Sequence, residues 1–193
     1  MPAIAFTTFA IMKAPYGDPI VKGFEDLTPI VFTEAERSPG FVDRAKEVDQ
    51  VSTALKDGQL ASSVLSNFER DWGKWGKFAV PRFYDGGFEI ATDTRAGTLS
   101  LWSDIHAVHT FVYRSLHRTA LAKRHDWFRK PDWPTYAMWW VADHMTPTWG
   151  EAAARLEHLY DHGPTPVAFD FHRRFAPSEC PLDLMLDGAL VAA

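Results

Sequence analysis

The segment from Ala3 to Lys13 sets the strongest limit on the fold. Its β-branched and aromatic residues run without a breaker, which predicts a strand. Ile4, Phe6 and Met12 fall on one parity and Ala5, Phe9 and Ile11 on the other, so both faces are apolar. Successive strand residues point to opposite sides, and such a strand must be covered on both. A one-layer sheet with a solvated face is therefore excluded.

The rest of the chain supplies layers. Asp18-Pro19 reads as an N-cap with proline at the first helical position, and Ile20, Val21, Phe24, Leu27 and Val31 continue at helical spacing to about Arg37, with Pro29 expected to kink or split the helix. Ser38-Pro39-Gly40 ends it, and Phe41 to Val48 is a second strand. Residues from about 49 to 87 read as an insertion, either anchored by its tryptophans or lying as a lid over a pocket. Phe88–Thr92 and Thr98–Ser103 are strand candidates around a turn at Asp93–Gly97. A helix capped by Ser103 or Asp104 follows, with a bend at His117-Arg118-Thr119. Tyr136–Val141 is a strand, with Trp139 and Trp140 on opposite faces. Thr148 to Glu151 reads as a capping box for a helix reaching His162, stopped by Gly163-Pro164, and Val167–Phe171 as an edge strand. The tail from about 173 to 193 is expected to pack loosely or against a partner.

This order is the βαββαβ plan of a ferredoxin-like α+β sandwich with an insertion and a C-terminal extension, within a single domain over residues 1–193. Helices of that plan cover one sheet face. Strands apolar on both faces then call for a second sheet, most simply that of a second subunit in a homodimer.

Charge and cysteine content narrow the function classes. A net charge of −5 with interspersed signs leaves no basic footprint for nucleic acid and no polybasic segment for a membrane. Cys180 is the only cysteine, so neither an intrachain disulfide nor a thiolate metal cluster is expected. The first residues lack a signal-peptide pattern and no apolar run spans a bilayer, which points to the cytoplasm. Aromatic residues make up 14% of the chain, with eight tryptophans, enough for a heavy core or an apolar ligand pocket.

Chemistry concentrates between Leu99 and Asp143. His106, His109, Tyr113 and His117 are spaced by three, four and four residues, which predicts one helical stripe of three imidazoles and a phenol beside the apolar face of Ile105, Val108, Val112 and Leu116. A neutral imidazole serves as base or acid near neutral pH, and a phenol donates to a developing oxyanion. Metal ligation by His106 and His109 lacks a supporting carboxylate on the helix, and no metal is expected. His158 and His162 suit the last turn of their helix. Phosphate loops, nucleophile elbows and HExxH patterns do not occur.

Several stretches together resemble the domain of unknown function family 3291, in the dimeric α/β-barrel superfamily. They are Lys13-Ala14-Pro15, the run from Ala35 to Val42, Leu99 to Ser103, Thr110 to His117, Arg124 with Trp127-Phe128, Trp139-Trp140-Val141, His144 with Pro147-Thr148, and Glu151 through Arg155 to Phe169. Asp43 stands where the pattern leads one to expect tryptophan. The resemblance implies a ferredoxin-like unit pairing into a two-subunit barrel, in a superfamily that includes cofactor-free monooxygenases of antibiotic biosynthesis, haem enzymes, isomerases and polyketide cyclases. It favours Tyr113 and His117 as acid–base residues, with His109 and His106 beside them. It also favours Arg124, Trp102, Trp139, Trp140, Phe111 and Trp127 as substrate-binding residues, in a pocket roofed by the insertion. The expected function is a small-molecule tailoring enzyme of secondary-metabolism type acting on an apolar or aromatic substrate, a cofactor-independent monooxygenase first, then a cyclase, isomerase or dehydratase. The alternative is a haem- or small-ligand-binding dimer without acid–base catalysis.

Overall fold

A computed structural model describes residues 1–48, 70–83, 94–114 and 116–186. Their order is β1 (Ala3–Ile11), α1 (Lys22–Arg37), β2 (Phe41–Arg44), β3 (Arg95–Trp102), α2 (Ile105–Arg114), α3 (His117–Trp127), β4 (Tyr136–Val141) and α4 (Trp149–His162), with short 3-10 turns at Gly73–Trp75 and Pro177–Glu179. The strands form one antiparallel sheet in the order β2-β3-β1-β4. The fold is α+β, and the strand candidate Phe88–Thr92 lies outside the described residues.

The two parities of β1 separate as their sequence requires. Ile4 and Phe6 join Trp102, Met138 and Trp140 in a core beneath α1 and α2, to which Ala35, Ala107, Val108, Phe111 and Val112 contribute. Ala5, Phe9 and Ile11 join Leu99, Leu101, Ala137 and Trp139 in a second core under α4, whose Trp149, Ala152, Ala153, Leu156 and Leu159 face the sheet. Trp139 and Trp140 do lie in opposite cores.

The second core corrects the argument for a partner's sheet. α4 and the segment containing Trp72, Trp75, Phe78, Ala79 and Val80 cover that face within the same chain. The described part of the insertion is thus an anchor, with Phe78 and Trp72 packing their rings 4.8 and 5.1 Å from Trp149. It lies on the opposite side of the sheet from α2, so this part does not roof the histidine-bearing helix.

Other boundaries move for identifiable reasons. The turn expected at Asp93–Gly97 gives way to paired strand from Arg95, opposite Ile11. A Cβ at Gly97 would stand 3.2 and 3.4 Å from the Phe78 and Trp149 rings, so a side chain there would press on both. Asp18 accepts from the Ile20 N–H in a turn, and α1 starts a turn later than the cap signal suggested. Pro29 sits inside α1 without splitting it. β2 stops at Arg44, after an irregularity between Phe41 and Asp43. The capping box is half formed: Thr148 accepts from the Glu151 N–H, but the Glu151 carboxylate turns inward to Arg155. The expected last strand shrinks to a bridge in which Phe169 exchanges two hydrogen bonds with Met138. The described tail packs on its own chain, where Phe175, Cys180 and Leu182 lie against the α2-side core and the Phe175 carbonyl accepts from Trp140 Nε1 at 2.9 Å.

Gly40 closes the α1–β2 turn at φ +82°, and a Cβ there would stand 2.5 Å from the Ala107 Cβ and 2.6 Å from the Ser103 hydroxyl. Both the backbone region and the space are closed to a side chain. Gly40→Ala is expected to destabilise the protein by more than about 1 kcal/mol. A urea midpoint equal to the parent's would refute this.

Candidate active site

Asp104 starts α2. Its carboxylate accepts from the Ala107 N–H at 2.8 Å and from the Ser103 hydroxyl at 2.7 Å, and these bonds, the first above all, hold its pKa below the ordinary value. α2 then presents Ala107, Val108, Phe111 and Val112 to the core, leaving His109 and Tyr113 at the edge of that face.

The stripe expected from spacing does not survive the end of α2. The helix stops at Arg114, and the Leu116 N–H donates instead to Glu34 Oε1 of α1 at 3.0 Å. The chain restarts as α3 at His117. His117 Nδ1 donates to the Val112 carbonyl at 3.3 Å, and its ring lies 4.9 Å from Phe111. The break, which falls just before the expected bend, thus turns His117 away from the edge held by His109 and Tyr113. Burial pushes the His117 pKa down, partly opposed by the Val112 bond.

Unfolding releases His117 to its ordinary, higher pKa, so its contribution to stability is present above that value. It is lost as pH falls toward the depressed folded value. Wild type should lose stability there at up to about 1.4 kcal/mol per pH unit from this residue, and His117→Gln should show a flatter profile between pH 7 and 5. Parallel urea-midpoint profiles for the two proteins would rule this out.

His109 and Tyr113 meet instead around Phe171. Their ring centroids are 4.8 Å apart, and the Phe171 ring stands 5.5 Å from His109, 5.4 Å from Tyr113 and 5.3 Å from Tyr136. Asp170 builds this corner: its Oδ1 accepts from the His172 and Arg173 N–H groups at 2.8 and 2.9 Å, a turn that carries Phe171 over the sheet. The Phe171 N–H donates to Tyr136 Oη at 3.3 Å, and Arg174 Nε donates to the Phe171 carbonyl at 3.0 Å.

Electrostatics distinguish the members. Burial pushes the Tyr136 phenol up to about 12, so it keeps its proton, and since its oxygen accepts from Phe171 that proton is available to donate. Burial first, then the charges of Arg174, Arg114 and His106, hold His109 below its ordinary pKa. Neither His109 nitrogen is hydrogen-bonded among the described residues. The arrangement is a neutral base beside two phenols.

The remaining candidates are dispersed. Trp102 is fully buried, donates through Nε1 to the Ser100 hydroxyl, and stacks 5.0 Å from Phe111. Trp139 is fully buried on the α4 side under the Arg155 guanidinium. Trp127 is buried against Phe24 and beside Gly23. Arg124 is exposed and donates to the Leu121 carbonyl of its own helix. His106 is exposed one turn before His109. A shallow groove of about 530 Å³ beside the helix break is lined by Pro29, Ile30, Thr33, Glu34, Arg37 and Leu116, none of them a predicted site residue. His158 donates to or accepts from the Thr165 hydroxyl at 2.8 Å, with the His162 ring at 4.6 Å. Among the described residues no three His, Cys, Asp or Glu side chains form a metal-binding group.

Tyr136, Phe171 and Arg174 were not legible as site residues. Tyr136 and Phe171 read as strand ends and Arg174 as tail. The one local signal is Asp170, a turn former directly after the last apolar run.

Among the described residues, an antiparallel four-stranded sheet between helical layers, with a titratable aromatic corner at its edge, defines an α+β protein. The chain belongs to the family described as Domain of unknown function (DUF3291), whose model matches residues 3–183. No curated protein and no solved structure matches it. Among the described residues no helix is long and apolar enough to cross a membrane.

Proposed function

We propose that the chain is a small-molecule tailoring enzyme of secondary-metabolism type that acts on an aromatic substrate at His109, Tyr113 and Tyr136. The observation that carries this reading is the contact of the uncharged His109 ring with Tyr113 at 4.8 Å, with the half-buried, protonated Tyr136 across Phe171. His109 removes a proton from an acidic C–H or O–H of the substrate. From a C–H the electron pair moves onto the oxygen of the adjacent carbonyl, and from an O–H it stays on that oxygen; the phenol O–H groups of Tyr136 and Tyr113 donate to the resulting oxyanion. An enolate or phenolate of this kind is the shared starting point of cofactor-independent oxygenation, cyclisation and isomerisation, and oxygenation is ranked first.

The same reading takes the unit as ferredoxin-like, which the strand order β2-β3-β1-β4 supports, and as a cytoplasmic homodimer of the dimeric α/β-barrel superfamily. With α4 on the second sheet face, the pairing surface is sought on helices and sheet edges.

The test is turnover and oxygen uptake on a panel of hydroxylated polycyclic aromatics, comparing wild type with His109→Ala, Tyr113→Phe and Tyr136→Phe. Loss in all three supports the reading. An active wild type with unaffected variants, or a Soret band in the active protein, overturns its cofactor-free acid–base form.

A further inference from the structure

We infer that this site takes an anionic substrate, an aromatic ring system bearing a carboxylate, and that Arg174 is the residue that receives the carboxylate. The inference rests on the acid–base reading for its location and deepens it by naming the substrate class.

The position of Arg174 is set by the turn that builds the site. Asp170 caps the turn, and Arg174 Nε donates to the Phe171 carbonyl, which anchors the guanidinium 5.9 Å from the Phe171 ring centroid. That ring is the one that touches His109, Tyr113 and Tyr136. The guanidinium therefore sits on the hub of the cluster. With Nε engaged, its two Nη groups remain for a ligand, in the planar arrangement that matches a carboxylate. Arg114 is the residue after Tyr113, at the end of α2.

Both arginines are exposed, and neither forms an ion pair with a carboxylate among the described residues. Asp170 is the acidic group of this corner, and its Oδ1 is already taken by two backbone N–H groups. Arg174 stands on the ring that His109 touches, and its charge and that of Arg114 act on His109. A bound carboxylate pairs with the Arg174 guanidinium. An imidazole kept uncharged by its surroundings does not compete for that carboxylate, so base and anion anchor remain separate roles. The faces of Phe171, Tyr113 and Tyr136 supply the aromatic part of the recognition.

The probe pair is 1-naphthoate and its neutral counterpart 1-naphthalenemethanol, titrated by calorimetry into the full-length protein, with binding located by chemical-shift changes at His109 and Tyr113. Wild type should bind naphthoate at least ten-fold more tightly than the alcohol. Arg174→Gln should bring the two within about two-fold, Arg174→Lys should recover part of the preference, and Arg114→Gln should reduce it less. Equal affinity of wild type for both probes, binding of naphthoate elsewhere, or a full preference in Arg174→Gln overturns the inference. Arg174 is exposed, and thermal melts of its variants should match wild type, which separates lost binding from lost folding. The two readings fail separately. An intact naphthoate preference with turnover indifferent to His109 sinks the acid–base reading alone, whereas His109-dependent turnover without the preference sinks this inference alone.

Discussion

Arg155→Met should be among the most destabilising single substitutions in this protein, at about 3–5 kcal/mol. Arg155 and Glu151 form an ion pair at 2.8 Å inside α4, with their side chains 2% and 1% exposed. The same guanidinium donates to the Val167 carbonyl at 2.6 Å and to the Leu184 carbonyl, and it lies 5.6 Å above the Trp139 ring. One side chain thereby ties α4 to the sheet, the 163–169 turn and the tail. Removing it leaves the buried Glu151 carboxylate without its partner and two part-buried carbonyls without their donor, and the cost is chiefly that of an uncompensated buried charge rather than of one lost pair. For a chain of this size the loss corresponds to a fall in Tm of about 6 to 20 °C.

Its pH dependence follows from Glu151. Burial raises the Glu151 pKa above the ordinary carboxylate value even with Arg155 present. Without Arg155 it rises further, so the stability of Arg155→Met is greatest below the ordinary carboxylate range and declines as pH climbs through the raised folded value. Urea melts at pH 5 and pH 8 should show the variant more damaged at pH 8. Glu151→Leu combined with Arg155→Met should recover much of the loss, because no charge is then left buried. A variant with the wild-type midpoint at pH 8 would show that Arg155 does not hold these elements.

On a substrate that the wild type turns over, His109→Ala should lower kcat/KM by about 10² to 10⁴, the range for removal of a positioned general base. Tyr136→Phe removes an oxyanion donor and should cost about 10² to 10³ in kcat. Tyr113→Phe keeps the ring against Phe171 and removes only the hydroxyl, so its loss is read in kcat rather than in folding. Burial and the neighbouring cations hold His109 below its ordinary pKa, so the acid limb of the kcat/KM profile should fall below the ordinary imidazole range. His117→Gln should leave that limb in place, since His117 faces Phe111 and Val112. If His117→Gln abolished turnover while His109→Ala did not, the base would have been assigned to the wrong imidazole.

How much of this was legible in the sequence varies with the range of the interaction that decides it. The apolar face of α2, the glycine stop of α4 at φ +66° and the opposed faces of Trp139 and Trp140 all follow from periods of 3.6 and 2 and from local backbone preference. Each was readable without knowing what the element packs against. Arg95 and Gly97 were misread as turn residues, because a buried arginine and a glycine against two aromatic rings make sense as strand only once Phe78 and Trp149 are in place.

The candidate site divides in the same way. Sequence alone determined that the first strand is covered on both faces and that His109 and Tyr113 share a helical edge, since both depend on residues a few positions apart. Tertiary structure decided which layer covers each face, because α4 folds back from a distant part of the chain to close the second one. It also decided which imidazole joins the phenols. Glu34, 82 residues before Leu116, accepts the N–H that precedes α3, where His117 packs on Phe111 and Val112, while Asp170 swings Phe171 and Arg174 in beside His109. Contacts made across such separations leave no periodic trace in the sequence.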